Sequence, residues 1–314
     1  MSALKLILPA FVLSLSTGCT GLLTPSDQGI SCQRIEADIR WGALSGLTAD
    51  AADAGILYAV HDHNLPRPEI QTINVSGDQA VIIQSFPVLR NGKEPPYDLE
   101  GIARRQAGGF WLASEGKPGR HLPNLIIRTD NTGHVLKEVP LPASVARYKI
   151  KAGFEGIAST GTGEQERVVV VFQRRWKDDP RGQVKIGQYW PASGQWRFYL
   201  YLLERPKGNG LSAVAFLSDG SVAVLERDNK PFFKARTKAI YRVELPDHPG
   251  QAVDQPYPLL RKSLVTDLIP GYSLACGTKG KLEGMALTPA GHFYLVADDD
   301  GKGTALLLQL RLHR

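Results

Sequence analysis

Three glutamates recur in one local setting. Glu100, Glu155 and Glu283 stand in Leu99-Glu100-Gly101-Ile102-Ala103, Phe154-Glu155-Gly156-Ile157-Ala158 and Leu282-Glu283-Gly284-Met285-Ala286. Carboxylates that converge repel one another unless protons or a cation compensate. A hard cation such as Ca²⁺, which takes roughly six to eight oxygen ligands, is the natural partner. Glu100, Glu155 and Glu283 are therefore candidate catalytic and metal-binding residues, with Asp298 as a further metal ligand. The competing reading is structural: each Glu bonds backbone amides of a neighbouring unit. A second acidic set follows the apolar runs: Asp62, Glu115, Glu226, Asp228, Asp298, Asp299 and Asp300. The last three precede Gly301 as either a solvated turn or a metal loop, without the spacing of a helix–loop–helix Ca²⁺ site.

Arginines lie close to these acids. Arg227 sits between Glu226 and Asp228, and Arg105 and Arg174 each follow a repeat motif or its strand. Guanidinium groups suit bidentate recognition of phosphate or carboxylate, so these three are the candidate binders of a small anionic, phosphorylated substrate. Arg104, Lys117, Arg120 and Arg175 occupy similar places; ordinary surface charge is the competing reading for each. His61 and His63 share a strand face, a spacing open to a transition metal or to a polar strand end. The sequence has no G-x-S-x-G, H-E-x-x-H, P-loop or dinucleotide glycine motif. Gly271-Tyr272-Ser273-Leu274-Ala275 only approaches a nucleophile elbow, and paired carboxylates leave glycoside cleavage open.

The elements that must position these residues repeat along the chain. Leu44-Ser45-Gly46-Leu47-Thr48 and Leu211-Ser212-Ala213-Val214-Ala215 complete a set of five boxes, each followed by a turn and an apolar run. The Glu/Ser slot falls at 45, 100, 155, 212 and 283, with spacings of 55, 55, 57 and 71 residues. Between boxes lie further strand-like runs, AVIIQSF, NLIIRTD, RFYLYLLE, AIYRVEL and ALLLQLRL, separated by Gly-containing turns. No long stretch shows a helical period; residues 48–55 allow one short turn. A unit of 50–60 residues carrying about four strands is the arithmetic of a propeller blade. The expected fold is all-β, a β-propeller of five or six four-stranded blades filling residues 31–314. The C-terminal run and residues 30–45 are expected to share one blade and close the ring.

The chain has 314 residues, with 43% hydrophobic and 22% charged residues, which excludes bulk disorder. A net charge of +6 without a long basic run argues against a nucleic-acid partner. Residues 1–18 read as an export signal: Lys5, then an apolar run from Leu6 to Leu15 too short to span a bilayer. It ends in Ser16-Thr17-Gly18-Cys19, the pattern of a lipidated Cys19, with simple cleavage nearby as the alternative. Residues 19–30 would be a linker. The expected location is the periplasmic face of the bacterial envelope, as an outer-membrane lipoprotein that meets the membrane only through its anchor. A monomer is expected. In an oxidising compartment Cys32 and Cys276 can pair, and ring closure would bring them together. Two unrelated buried thiols are the alternative.

DLEGIA (98–103), GFEGIA (153–158), VLERDN (224–229), KLEGMALTPAG (281–291) and VADDDG (296–301) resemble the bacterial phytase-like domain, a family described as "esterase-like activity of phytase". The resemblance spans roughly 40–310 and implies a secreted or periplasmic propeller with a hydrolase label. Ser45 and Ser212 replace Glu in two boxes, and Gln173 stands where an acid would follow the third box's strand. The expected function is a Ca²⁺-dependent hydrolase of phosphoesters or related esters. The alternative is a non-catalytic propeller binding a ligand or partner at the cell envelope.

Overall fold

The computed structural model describes residues 29–311 apart from 40, 63–66, 117–121, 249–255, 278–280 and 299–304. The expected signal segment, Cys19, most of the linker, His63, Lys117, Arg120, Asp299 and Asp300 lie outside the described residues.

In chain order, β1 (Ile30–Glu36) precedes four complete blades. Blade one is β2 (Leu44–Ala49), β3 (Ile56–His61), β4 (Glu69–Asn74) and β5 (Ala80–Pro87). Blade two is β6 (Leu99–Arg104), β7 (Phe110–Ser114), β8 (Leu125–Thr129) and β9 (Val135–Pro140). Blade three is β10 (Phe154–Thr160), β11 (Arg167–Phe172), β12 (Gln183–Trp190) and β13 (Gln195–Leu202). Blade four is β14 (Asn209–Phe216), β15 (Val222–Asp228), β16 (Lys238–Val243) and β17 (Lys262–Asp267). Blade five takes β18 (Lys281–Leu287), β19 (His292–Asp298) and β20 (Leu306–Arg311), and borrows β1 as its outer strand. Among the described residues the ring has five blades, and the 71-residue interval holds no sixth.

Ring closure follows the expected route. Ile30–Arg34 pair antiparallel with Leu306–Leu310, and Ile35 and Glu36 then pair parallel with Ala80 and Val81 of β5. One N-terminal strand thus ties the last blade to the first. Cys32 on β1 is disulfide-bonded to Cys276 at the end of α2 (Ile269–Cys276), with the Cα atoms 5.4 Å apart and a sequence separation of 244. For so long a loop, loss of unfolded-state entropy contributes at most about 5 kcal/mol. The Gly271–Ala275 segment lies on α2, where the buried Tyr272 ring stacks on Phe232; it is not a strand-to-helix elbow.

Both faces of each blade meet a neighbour, which explains why the inner strands lack polar alternation. In β11, Val168, Val170 and Phe172 pack toward blade two, whereas Val169 and Val171 pack toward blade four. Five such clusters, one for each blade–blade interface, make up the core. Each fully buried Val or Leu contributes about 1.5–3 kcal/mol. The outer strands β5, β9 and β17 are less buried, leaving Ile83, Leu136 and Leu264 exposed. Among the described residues no helix is long and apolar enough to cross a membrane.

Candidate functional site

Each of the five boxes lies on the innermost strand of its blade, and these strands touch in a closed circle, β2–β6–β10–β14–β18 and back to β2. The pairing with the second strand slips at the same place every time. The shift falls between Leu44 and Gly46, Leu99 and Gly101, Phe154 and Ile157, Leu211 and Ala213, and Leu282 and Gly284. The Glu/Ser slot is therefore a β-bulge in all five blades. A bulged residue leaves the ladder and its side chain is re-aimed, here toward the ring axis.

The glycine after the slot is there for space. A Cβ on Gly46 would stand 2.8 Å from the Gly101 Cα, one on Gly101 2.6 Å from the Glu155 carbonyl oxygen, and one on Gly156 2.7 Å from the Ala213 Cα. One on Gly284 would stand 2.8 Å from the Leu47 amide nitrogen and 2.9 Å from the Ser45 carbonyl oxygen. The boxes thus abut around the axis, and the axial passage narrows to a cavity of about 10 Å³ lined by Leu47, Ile102, Ile157, Val214 and Met285. That is room for about one water. The bulged slots open at one mouth of this narrow passage, and Glu100 and Ser212 line it.

Antiparallel pairing sets the end of each second strand beside the start of the first, so the two acidic sets meet at one rim. Asp62 after β3, Asp98 before β6 and Glu100 on its bulge each place a carboxylate oxygen within 4.8 Å of the others. Asp98 is nearly fully buried, and the other two are half-buried. Burial raises the Glu100 pKa well above the ordinary carboxylate range, and the charges of Glu155, Asp62, Glu115 and Asp98 push it further.

Glu155 is 5% exposed and makes no hydrogen bond or ion pair among the described residues. Burial, then the nearby Glu283 charge, raises its pKa well above the usual range, against the opposing fields of Arg227 and Arg174. Glu283 is ion-paired with the buried Arg227, which also donates to Asn229 Oδ1. Burial alone would lower the Arg227 pKa; Glu283, Glu155 and Glu100 outweigh it and raise it. The Arg227 Nε is buried without a hydrogen-bond partner. Arg174, following β11, feels the charges of Glu155, Glu283 and Arg227, and its Nη1 donates to the Gly208 and Asn209 carbonyls at 2.9 and 2.6 Å.

The predicted Glu100, Glu155, Glu283, Arg227 and Arg174 thus converge on one mouth, but not with the expected division of labour. Among the described residues the set with metal-ligand spacing is Asp62, Asp98 and Glu100; Glu155 and Glu283 lie with the arginines. Asp298 closes β19, and its side chain lies outside the described residues. Arg105 belongs elsewhere. Its guanidinium grips Glu166 at 2.7 and 2.9 Å and lies over Trp111, so this predicted anion binder ties blades two and three together and does not join the mouth. Glu226 faces away from the mouth, accepting from Tyr201, Asn209 and the Glu204 amide and pairing with Lys262. Alternation along β15 sends Arg227 to one face and Glu226 to the other. Asp228 organises the following loop, accepting from the Lys230, Arg236 and Thr237 amides. Ser212 donates to the Leu282 carbonyl, the inter-blade tie that was the structural alternative for the slot. His61 is buried, with Nδ1 2.9 Å from the Asp62 carbonyl. Asp98 escaped the sequence reading because the corresponding places in the other boxes hold Ala43, Gly153, Gly210 and Lys281.

The fold and mouth define a five-bladed propeller with an acid- and arginine-lined pit on its axis. The chain belongs to the Phytase-like family, described as "Esterase-like activity of phytase", whose model matches residues 39–301. No curated protein matches it. A Bacteroides thetaiotaomicron VPI-5482 structure, provisionally described as a glycosidase, is similar at 8% identity and a TM-score of 0.50, covering 87% of this chain and 88% of that one. A glucose dehydrogenase structure is similar at 15% identity and a TM-score of 0.42, covering 87% and 84%. The Dos1 propeller is similar at 8% identity and a TM-score of 0.41, covering 84% and 57%.

Proposed function

We propose that the axial mouth is the active centre of a cation-assisted hydrolase of phosphoesters or related esters. The observation that carries this reading is Glu155: a carboxylate buried at the mouth, without a hydrogen-bond partner among the described residues, set between an acidic cluster and two arginines. Asp62, Asp98 and Glu100 would hold a divalent cation such as Ca²⁺, because three clustered carboxylates supply hard oxygen ligands and need charge compensation. When bound, such a cation polarises the ester and lowers the pKa of water.

The chain's own residues do the rest. Arg174 and Arg227 hold the anionic group of the substrate at the mouth. Glu155, ionised once a cation compensates the acidic cluster, accepts the proton of the attacking water and returns it to the departing alcohol oxygen, so that water and ester become acid and alcohol. The narrow pit behind it limits competing water. In this reading the protein works on the periplasmic face of the bacterial envelope, tethered through Cys19. Incorporation of labelled lipid that persists in Cys19→Ala would refute the tether.

The test uses the mature chain without residues 1–19. Phosphate release from phytate and nitrophenol release from model esters are measured with Ca²⁺ and with chelator. Activity that requires the cation and falls in Glu155→Gln and Glu100→Gln supports the proposal. No turnover of any substrate, or turnover unchanged in both variants, leaves a non-catalytic, ligand-binding propeller.

A further inference from the structure

Beside the acidic mouth lies a cleft of very different character. Its volume is about 1190 Å³, and it is built by three loops on the mouth side of blades three and four. Blade three contributes Arg174 and Arg181 from the β11–β12 loop, and Arg205 and Lys207 from the connection to β14. The β15–β16 loop faces them with Lys230, Lys234 and Arg236. Against these seven cations the lining carries two carboxylates, and both are engaged. Glu204 pairs with Lys262 at 2.8 Å. Asp228 is occupied by Lys238 and by the backbone amides of its own loop.

None of the seven cations forms an ion pair among the described residues. Elsewhere the arginines tend to be matched: Arg67 with Glu69, Arg90 with Glu138, Arg104 with Asp50, Arg105 with Glu166, Arg167 with Asp247 and Arg242 with Asp219. Like charges gathered on opposite walls of one cleft cost free energy unless something anionic lies between them.

The cleft is also held in shape. Asp228 fixes both ends of the β15–β16 loop through the Lys230 and Arg236 amides. Phe232 anchors its middle by stacking on Tyr272 of α2, which the Cys32–Cys276 bond fastens to β1. With Phe232 buried, the adjacent Phe233 is turned outward, 65% exposed on the cleft wall. The backbone that carries Lys230, Lys234 and Arg236 is therefore set before a ligand arrives, which lowers the ordering cost of binding.

We propose that this cleft is a binding site for a soluble anion carrying two or more phosphate-type groups, separate from the acidic mouth and opening onto it at Arg174. A single phosphate would leave most of the cleft and most of its cations unused; drug-sized ligands fill roughly 300–1,000 Å³. The site stands whether or not the mouth is catalytic, because it is read by binding and not by turnover.

The probes are inorganic tripolyphosphate and orthophosphate, titrated calorimetrically into the mature protein without divalent cations at low and at high salt. Tripolyphosphate is expected to bind more tightly than orthophosphate, with affinity falling as salt rises. In Lys230→Gln/Lys234→Gln/Arg236→Gln the affinity falls at least about tenfold, because three charge-assisted contacts to the anion are lost. Lys93→Gln/Lys151→Gln removes two exposed charges outside the cleft and leaves binding unchanged. Circular dichroism and melting confirm that the triple variant folds; if it does not, Arg205→Gln/Lys207→Gln on the opposite wall takes its place. Tripolyphosphate binding that is absent, or equal in wild type and a folded cleft variant, overturns the proposal. So does binding only to vesicles containing phosphatidic acid, which would make the cleft a membrane-reading surface. If the proposed hydrolysis fails while tripolyphosphate still binds through these residues, the two readings part and this one survives.

Discussion

The mouth has two unlike corners built from the same part. Glu100 and Glu283 occupy the same slot of the same box, on the same bulge, before the same kind of close-packed glycine. Glu100 meets Asp62 and Asp98, whereas Glu283 meets Arg227. The difference comes from the neighbouring blade, whose second strand ends beside the slot. Blade one delivers Asp62 there and blade four delivers Arg227. The repeat thus fixes where a carboxylate points, and one residue on the adjacent blade decides whether it is a charge to be compensated or one already compensated. Glu155 lies between the corners and feels both.

The two corners should respond oppositely to substitution, and the largest effect is expected in catalysis. Glu155→Gln should lower ester or phosphoester turnover by about 100-fold or more while leaving the fold intact, because a positioned acid–base group contributes roughly 10²–10⁴. Initial rates, with melting as a fold control, test this.

Next comes the arginine corner. Arg227→Met strips the ion-pair partner from Glu283 and should destabilise the protein by about 3–5 kcal/mol in urea unfolding, the cost of leaving a buried charge unpaired. A loss below about 1 kcal/mol would mean that solvent already screens the pair.

The shared geometry can be broken directly. Gly101→Ala forces a methyl group against the Glu155 carbonyl and should cost about 1–3 kcal/mol by overpacking. Blade four already carries Ala213 at this position, so Ala213→Gly should cost less than Gly101→Ala. Equal effects would mean that the close approach of the boxes is not what selects glycine.

The smallest effect should have the opposite sign. Glu100 and Glu155 have pKa values raised by folding, so the folded chain holds protons that the unfolded chain has released. Stability is then greatest below the ordinary carboxylate range and falls as pH rises toward the folded pKa values. At neutral pH without divalent cations, Glu100→Gln should therefore raise the melting temperature by a few degrees, on the scale of about 2–4 °C per kcal/mol. Ca²⁺ should raise the melting temperature of wild type and not of this variant, because a ligand that binds only the folded state stabilises it by mass action. A fall in melting temperature for the cation-free variant would show that Glu100 is already neutralised.

Much of the architecture was legible in the chain itself. The recurrence of the boxes, the apolar runs between them and the two distant cysteines pointed to a ring of antiparallel blades closed by its termini. The all-β propeller and the Cys32–Cys276 bond are present as expected. Periodicity carries this information because each blade must bury both faces, so the same pattern is written at every turn of the ring. The blade count was less legible. The 71-residue interval contains α2 and a long connection, and length alone does not separate a blade from an insertion.

The candidate site was legible in part. Glu100, Glu155, Glu283, Arg174 and Arg227 were marked by their place in or after the repeat, and they meet at the mouth. Asp98 was not marked, because it has no counterpart in the other boxes. Arg105 and Glu226 occupied suggestive positions but are used up by Glu166 and by Lys262 with Tyr201. A repeat reports which residues are equivalent within their own blades; it does not report which blade's side chain stands opposite.

The sequence by itself determined the blade and the recurring Glu/Ser slot, since these follow from the apolar pattern and turns that every blade repeats. Only the tertiary structure decided which carboxylates cluster, which are neutralised by arginine and where seven cations gather without ion pairs among the described residues. Those outcomes depend on distances between residues far apart in the chain, and Coulomb energy is set by those distances and by burial, neither of which is written in any single segment.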